Sequence, residues 1–204
     1  LAAAKSAASF DSNPDNRIFV RYMGIVSPGR VPHNLLKALS KLSAQCPDLF
    51  NRLRLQFFGN AALIADTVDR TYPEVSGAIE YFDSVPYIIS LQKIAEADYL
   101  LFSETSSQAT LSAQGILTTK LFEYIGSGRP ILADISAETL AGKLLIQCSP
   151  AHLVSQDPNH FFDRLSDTKF YNRINDVESP VRDSLSRAHQ ARQYESLLSQ
   201  LIGQ

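Results

Sequence analysis

Several features are scarce in this chain of 204 residues, and each scarcity excludes a class of protein. Its two cysteines, Cys46 and Cys148, lie far apart without CxxC spacing, so they are interpreted as core residues. No run approaches the roughly 18 to 20 apolar residues that span a bilayer, and the first residues lack the apolar centre of a signal peptide. The net charge of −2 favours no nucleic-acid partner. A cytoplasmic protein is expected.

Short motifs of several enzyme classes are missing as well. The sequence has no Walker A string, no GxGxxG after its first predicted strand and no GxSxG elbow. Its four histidines show no metal-ligand spacing with one another or with the cysteines, so neither a metal nor a cofactor is expected. Only His33 falls near a predicted ligand-binding edge. Glu104 ends a strand, and it is interpreted as a solvated surface acid rather than a functional one.

Short strand-like runs alternate with longer segments of helical spacing along most of the chain. Strands are predicted at residues 18–23, 53–58, 78–82, 98–102 and 131–135, with a further candidate at 144–146. This alternation predicts an α/β fold, a doubly wound parallel sheet of the Rossmann-like type. Ligands of such sheets bind beyond the carboxyl ends of the strands. The loops predicted there are 24–32, 59–62, 83–87 and 103–119.

A polar loop is followed by a predicted helix that begins around Thr118, Thr119 and Lys120. The free N–H groups and partial positive charge of a helix N-terminus suit a phosphate, and Lys120 adds a positive charge there. Glu123, three residues on, shares the face of Lys120 and could accept two hydrogen bonds from a ribose diol. The alternative is structural: Thr119 would cap the helix, and Glu123 would be an acid that the helix dipole favours in the first turn.

The string TKLFEYIGSGRPIL, residues 119–132, resembles the P-x-K-x-x-E-Y-x-x-x-G-x-P-V/I element of retaining glycosyltransferases of family 4, also called group 1, which have the GT-B fold. Upstream, YMGIV, LRLQFFGN and the segment ending in ADYLLF resemble other elements of that family, in the same order. The resemblance covers about residues 18–146. It implies that residues 17–160 form the nucleotide-sugar-binding domain in the C-terminal half of a GT-B fold, with residues 161–204 as its C-terminal helices. Residues 1–16 are then a linker or the start of an excised domain.

The resemblance also implies roles for individual residues. Glu123 would bind the ribose hydroxyls, and Thr118, Thr119 and Lys120 would lie at the diphosphate. The turn after Gly24 would let the backbone approach the phosphates closely. The loop that flanks the base would act mostly through its backbone, and it consists of Ser84, Val85, Pro86 and Tyr87.

Two positions depart from the family pattern. Gly115 stands where many members have a glutamate near the donor sugar, and Ile25 follows Gly24 where many have an arginine. Arg30 or His33 would therefore have to reach in to replace the missing cation, and Lys120 becomes the main candidate for phosphate neutralisation. No catalytic residue is predicted.

The implied activity is glycosyl transfer. The chain would bind a nucleoside-diphosphate sugar, with UDP favoured by family frequency, and a missing N-terminal domain would hold a glycan or lipid-linked acceptor. The isolated domain is expected to be inactive. Acceptors in such families imply polysaccharide biosynthesis and peripheral association of the whole enzyme with the inner face of the membrane. Two alternatives stay open: a GT-B-type nucleotide-sugar epimerase, and a non-catalytic nucleotide-binding or interaction module.

Overall fold

One fully parallel sheet of six strands forms the centre of the computed structural model, which describes residues 16–104, 117–167 and 181–202. The spatial order is β3-β2-β1-β4-β5-β6, so the chain winds outward in both directions from the neighbouring pair β1 and β4. The doubly wound architecture predicted from the sequence is confirmed. The strands are β1 (Ile18–Met23), β2 (Leu53–Phe58), β3 (Ile79–Phe82), β4 (Tyr99–Ser103), β5 (Ile131–Asp134) and β6 (Leu153–Ser155).

Helices connect these strands and cover the sheet. The α-helices within the described ranges are α1 (His33–Gln45), α2 (Pro47–Arg52), α3 (Ala62–Thr71), α4 (Tyr87–Ala95), α5 (Thr119–Ser127), α6 (Leu140–Cys148), α7 (Pro158–Ser166) and α8 (Arg187–Ile202). Short 3-10 turns occur at Pro28–Arg30, Pro73–Ala78 and Asp183–Leu185. No described helix is long and apolar enough to cross a membrane.

The sheet separates two apolar clusters. On one side, Val20 and Leu55 pack with α1, α3 and α7, and on the other side Leu100 and Phe102 pack with α5 and α6. The central strand β4 is buried throughout because helices cover both of its faces, which explains its continuous apolar sequence. Burial of each large aliphatic or aromatic side chain contributes about 1.5–3 kcal/mol. The two clusters therefore fix the strand ends, and with them the loops at the carboxyl edge.

Two glycines shape this edge where β1 and β2 end. Gly24 and Gly59 have φ angles of +119° and +124°, which side-chain-bearing residues rarely adopt. A Cβ atom on Gly59 would lie 2.7 Å from the carbonyl oxygen of Gly24, whereas the space beside Gly24 itself is open. Backbone hydrogen bonds join the ends of β1, β2 and β3 here, since Gly24 N donates to Phe58 O at 2.7 Å and Gly59 N to Phe82 O at 3.0 Å.

Two details of the predicted fold are wrong. The candidate strand at 144–146 lies inside α6, because Thr139 caps that helix by accepting from Gly142 N at 3.0 Å and Leu145 and Cys148 are buried at helical spacing. The sixth strand is instead β6, whose three residues are too few to show a period. The predicted linker at 1–16 lies almost wholly outside the described residues, as does most of the predicted loop at 103–119, which includes Gly115.

Candidate functional site at the crevice between β1 and β4

Four of the described polar side chains meet where β1 and β4 end side by side. The chain leaves β1 toward α1 on one side of the sheet and leaves β4 toward α5 on the other, which opens a crevice between the two exits. Arg30 reaches this crevice from the 3-10 turn after β1, and Glu104 directly follows β4. Thr118 and Lys120 come from the start of α5. These four residues are called the crevice cluster below.

Lys120 crosses from α5 to the end of β1. Its Nζ lies 4.0 Å from the centre of the Tyr22 ring and 5.7 Å from the centre of the Phe102 ring. Burial lowers the pKa of Lys120 to about 8, while the nearby Glu104 carboxylate raises it and the Arg30 guanidinium lowers it further. The ammonium group has no hydrogen bond or ion pair among the residues that the structure describes. A desolvated cation of this kind gains more from an incoming anion than a hydrated one would.

Arg30 and Glu104 form an ion pair across the crevice. Arg30 Nε lies 2.7 Å from Glu104 Oε2, and the Glu104 side chain is only 11% exposed. Thr118 Oγ1 lies 3.5 Å from the other carboxylate oxygen of Glu104. The interpretation of Glu104 as a solvated surface acid is therefore wrong. The structure places Arg30 in the crevice, whereas His33 lies at the exposed start of α1 with its Nδ1 3.3 Å from Tyr72 Oη.

Two tyrosines fix the position of α5 and of the turn after β1. The Tyr124 hydroxyl, on α5, accepts a hydrogen bond from Met23 N at 2.9 Å, and the Tyr22 hydroxyl donates to Ile25 O at 3.1 Å. Burial raises the pKa of Tyr22 to about 12 and raises the pKa of Tyr124 as well, so both hydroxyls stay neutral at physiological pH. Gly24 and Lys120 are consequently held in a fixed relation.

The N-termini of α1 and α5 differ in how they are capped. Asp134, at the end of β5, accepts from Asn34 N at 2.9 Å and from Asn34 Nδ2 at 2.7 Å, so a carboxylate already occupies the start of α1. At α5 the N-cap residue is Thr118, and among the described residues its side chain makes no capping hydrogen bond to the first N–H groups of the helix. An anion that enters the crevice would therefore find free backbone donors at α5.

Glu123 and Thr119 occupy different parts of α5. Thr119 is the first helical residue and is exposed. Glu123 is half-buried in the second turn, and it makes no hydrogen bond or ion pair with any residue that the structure describes. The structural alternative for these residues is thus wrong on both points, because Thr119 is not the N-cap and the first turn contains no acid. The Glu123 carboxylate retains its capacity to accept hydrogen bonds.

A cavity of about 330 Å³ adjoins the crevice on the side of β2 and β3. Its walls include Gly24, Ser84, Val85 and Tyr87, which were predicted to contact the phosphates or the base of one nucleotide. Tyr87 is 60% exposed. Pro86 is the N-cap of α4. A second cavity of about 530 Å³ shares the walls at Gly59 and Ser84 and extends toward α3. Glycines and aromatic side chains, among them Tyr81, Phe82 and Tyr87, form part of the walls of the two cavities.

Metal ligation finds no support in the described part of the chain. Residues 16–104, 117–167 and 181–202 contain no group of three or more histidine, cysteine, aspartate or glutamate side chains that could hold a metal ion. The charged groups of the crevice are two cations and one carboxylate, a set that suits an anionic ligand.

Comparisons with known proteins identify the fold. No family profile and no curated protein matches the sequence. Among solved structures, the GtfA/B complex shares 16% identity over 92% of this chain, with a TM-score of 0.51. A protein from Listeria monocytogenes described as a UDP-N-acetylglucosamine 2-epimerase shares 14% over 99%, with a TM-score of 0.54. AviGT4, a glycosyltransferase involved in avilamycin A biosynthesis, shares 18% over 92%, with a TM-score of 0.52.

These likenesses define the class of fold. The chain is a Rossmann-like α/β domain of the kind found in GT-B-like proteins. It spans 36% of the length of the matched chain of the GtfA/B complex and 52% of each of the other two. The identities are low enough that the likeness establishes the fold and leaves the activity to be argued from the site.

Proposed function

We propose that the crevice binds the diphosphate of a nucleoside-diphosphate sugar, and that the chain is the donor-binding domain of a glycosyltransferase. The observation that carries the proposal is the position of Lys120, a desolvated cation in the first turn of α5 and near a second cation, Arg30. Helix N–H groups and two cations together would neutralise a diphosphate. The resemblance of residues 119–132 to the glycosyltransferase element supports the same assignment.

The chemistry follows from the charges. A diphosphate that leaves a sugar gains negative charge at its terminal oxygens in the transition state, and fixed donors beside it lower the barrier. Lys120, Arg30 and the first N–H groups of α5 are such donors. The open space beside Gly24 lets the phosphate group approach the backbone. Orientation and charge stabilisation would then supply the catalytic effect of this domain, and its residues need no bound metal for that role.

The nucleoside would occupy the space beside the diphosphate. Glu123 would accept hydrogen bonds from the two ribose hydroxyls, as the resemblance implies. The base would lie in the cavity of about 330 Å³, against the backbone of Ser84 and Val85 and the ring of Tyr87. UDP is the favoured nucleotide because it is common among the similar enzymes. The two solved neighbours that are described by an activity support this chemical class, since one is a glycosyltransferase and the other a UDP-N-acetylglucosamine 2-epimerase.

The acceptor would bind to an N-terminal domain of the same enzyme. On this proposal the 204 residues alone bind nucleotide but transfer no sugar, and the whole enzyme would act on glycan or lipid-linked acceptors at the inner face of the membrane. An epimerase would use the same nucleotide site. Conversion of the sugar in a bound UDP-sugar without any acceptor would distinguish it from a transferase.

Calorimetric titration with UDP, GDP and ADP tests the proposal. One diphosphate, with UDP expected, should bind to the chain, and Glu123→Ala should weaken that binding by about 1–3 kcal/mol because a charge-assisted hydrogen bond to ribose is lost. Glu195→Ala is the matched control, since Glu195 is an exposed helical glutamate on α8 and should leave binding unchanged. The assignment fails if none of the three nucleotides binds or if Glu123→Ala binds as tightly as the wild type.

A further inference from the structure

We propose that Glu104 is a positioning residue, whose carboxylate holds Arg30 and Lys120 at the crevice so that both cations meet the incoming diphosphate. This inference rests on the proposed function and adds a residue to which neither the sequence nor the resemblance gave a role in binding. It starts from an apparent contradiction. A mostly buried carboxylate in a site for an anion should repel its ligand, yet Glu104 lies in the middle of the crevice cluster.

The geometry of the Arg30 contact resolves the contradiction. Glu104 Oε2 lies 2.7 Å from Nε of the guanidinium, a contact between charges that lacks the alignment of a hydrogen bond. An arginine has five N–H donors, of which Nε carries one, and both terminal nitrogens of Arg30 lack a hydrogen bond to any described residue. Those nitrogens remain available for a bidentate contact with phosphate oxygens. The ion pair thus fixes the arginine and leaves its phosphate-binding edge free.

Arg30 needs such an anchor because of its location. It lies in a short 3-10 turn, and its side chain is 30% exposed. It also stands close enough to Lys120 for the two cations to repel each other. Without a carboxylate between them, this repulsion and the gain in hydration would draw Arg30 into solvent. The Glu104 carboxylate offsets both effects. The Thr118 hydroxyl on the α5 side lies 3.5 Å from Glu104 Oε1 and helps to hold the carboxylate in place.

Glu104 acts on Lys120 through charge alone. The charged groups near Lys120 among the described residues are Glu104 from the end of β4 and Arg30 from the turn after β1, and the titratable Tyr22 of β1 lies under the ammonium. Of the two charged groups, Glu104 raises the pKa of Lys120 and Arg30 lowers it. The carboxylate therefore keeps Lys120 protonated at higher pH, and so extends the range in which it can neutralise phosphate.

The test measures the dissociation constants of UDP and inorganic pyrophosphate by calorimetry between pH 7 and 9.5. Wild-type affinity should fall as the pH rises through about 8, where Lys120 loses its proton. Glu104→Gln keeps the shape of the side chain and removes its charge. It should weaken binding at pH 7 by about tenfold, the loss expected for one charge-assisted hydrogen bond, and should move the fall in affinity to lower pH.

Two further variants separate positioning from other effects. In an Arg30→Gln background the carboxylate has no guanidinium to hold, and Lys120 no longer meets the repulsion that lowers its pKa. Adding Glu104→Gln there should leave the affinity at pH 7 unchanged or raise it. Glu96→Gln is the matched control, because Glu96 also pairs with an arginine, Arg21 at 3.3 Å, but lies away from the crevice. It should change neither the affinity nor its pH dependence. Circular dichroism and thermal melting of each variant confirm that it folds.

The outcomes are distinguishable. If the wild type binds UDP or pyrophosphate but Glu104→Gln binds equally well or more tightly, the positioning role is refuted and the proposed nucleotide site stands. Equal losses from Glu104→Gln in the wild-type and Arg30→Gln backgrounds would also refute it. If the wild type binds neither probe at any pH, the proposed function and the role of Glu104 are both overturned.

Discussion

Replacement of Lys120 by methionine removes a desolvated ammonium from the crevice and keeps an unbranched side chain of nearly the same length. The variant isolates the energetic consequence of holding a cation over the ring of Tyr22, at 4.0 Å. A residue selected for stability alone would be apolar at this position, since the Tyr22 and Phe102 rings are the contacts of the ammonium group. We therefore expect Lys120→Met to abolish diphosphate binding and to stabilise the fold.

The magnitude follows from the pKa of Lys120. Its fall from 10.5 in the unfolded chain to about 8 in the folded protein means that folding disfavours the charged form. Each pKa unit corresponds to about 1.4 kcal/mol, so the cost at pH 7 is about 3 kcal/mol. A cation over an aromatic ring regains about 1–2 kcal/mol of this. Lys120→Met should accordingly raise the free energy of unfolding at pH 7 by about 1–2 kcal/mol.

The pH dependence has a definite sign. Between about pH 8 and 10.5 the unfolded chain binds a proton at Lys120 that the folded protein does not, so wild-type stability from this group rises with pH. The advantage of Lys120→Met should therefore shrink by about 1–2 kcal/mol between pH 7 and 9.5. Urea unfolding at both pH values measures it. Lys41→Met is the control, because Lys41 Nζ also lies over a ring, that of Phe162 at 4.1 Å, outside the crevice.

The control should be no more stable than the wild type at either pH, since Lys41 also loses a hydrogen bond to Asn159 Oδ1. A Lys120→Met variant that is less stable than the wild type at pH 7 would refute the reasoning, as would a gain in stability that is the same at both pH values. Either result would mean that the lysine is well solvated or otherwise compensated, and the crevice would lose its main evidence for an anionic ligand.

Two further predictions concern the frame of the crevice, both measured by urea unfolding. Gly59→Ala should lower the free energy of unfolding by about 2–4 kcal/mol, because the φ of +124° is strained for alanine and the added Cβ would lie 2.7 Å from Gly24 O. The control Gly77→Ala should have little effect, since nothing lies within 4 Å of its added Cβ. Equal losses of stability in the two variants would refute the argument. Asp134→Ala should cost about 1–3 kcal/mol, since the backbone and side-chain N–H groups of Asn34 lose their acceptor. Asp157→Ala, which uncaps the exposed start of α7, should cost less, and a reversed order would contradict the assigned role of Asp134.

Most of the fold could be predicted because its strands and helices are long enough to show a period. The first five strands were predicted to within a residue or so, since apolar runs such as Leu53–Phe58 lie between clear turn signals. The wrong or missed strand predictions occurred where the local sequence pattern fits both a strand and a helix or is too short to judge. Leu144 and Ile146 fit a strand or a helix equally well, and the cap at Thr139 decides for the helix. A three-residue strand such as Leu153–Ser155 shows no usable period at all.

The site was predictable only in part, for a different physical reason. Lys120 and Glu123 lie on one helix, so their relation follows from helical geometry. Arg30 comes from the 3-10 turn after β1 and Glu104 directly follows β4, and only the packing of the fold brings Arg30 Nε and Glu104 Oε2 to 2.7 Å. A sequence pattern shows that an acid follows β4 but not that an arginine comes from another loop to bury it. The signal for Glu104 was its place at the carboxyl end of a central strand, which is where ligand sites of such sheets lie.

The crevice concentrates features that the fold does not need for its own stability. Lys120 is desolvated, Glu104 is a mostly buried acid, and Gly59 takes a backbone angle that almost only glycine adopts. The starts of α6 and α7 follow local rules, because the side chains of Thr139 and Asp157 cap these two helices. Departures from such rules gather at functional sites, where a ligand supplies the missing partner. A dianionic group between Lys120, Arg30 and the first N–H groups of α5 would give all three a partner.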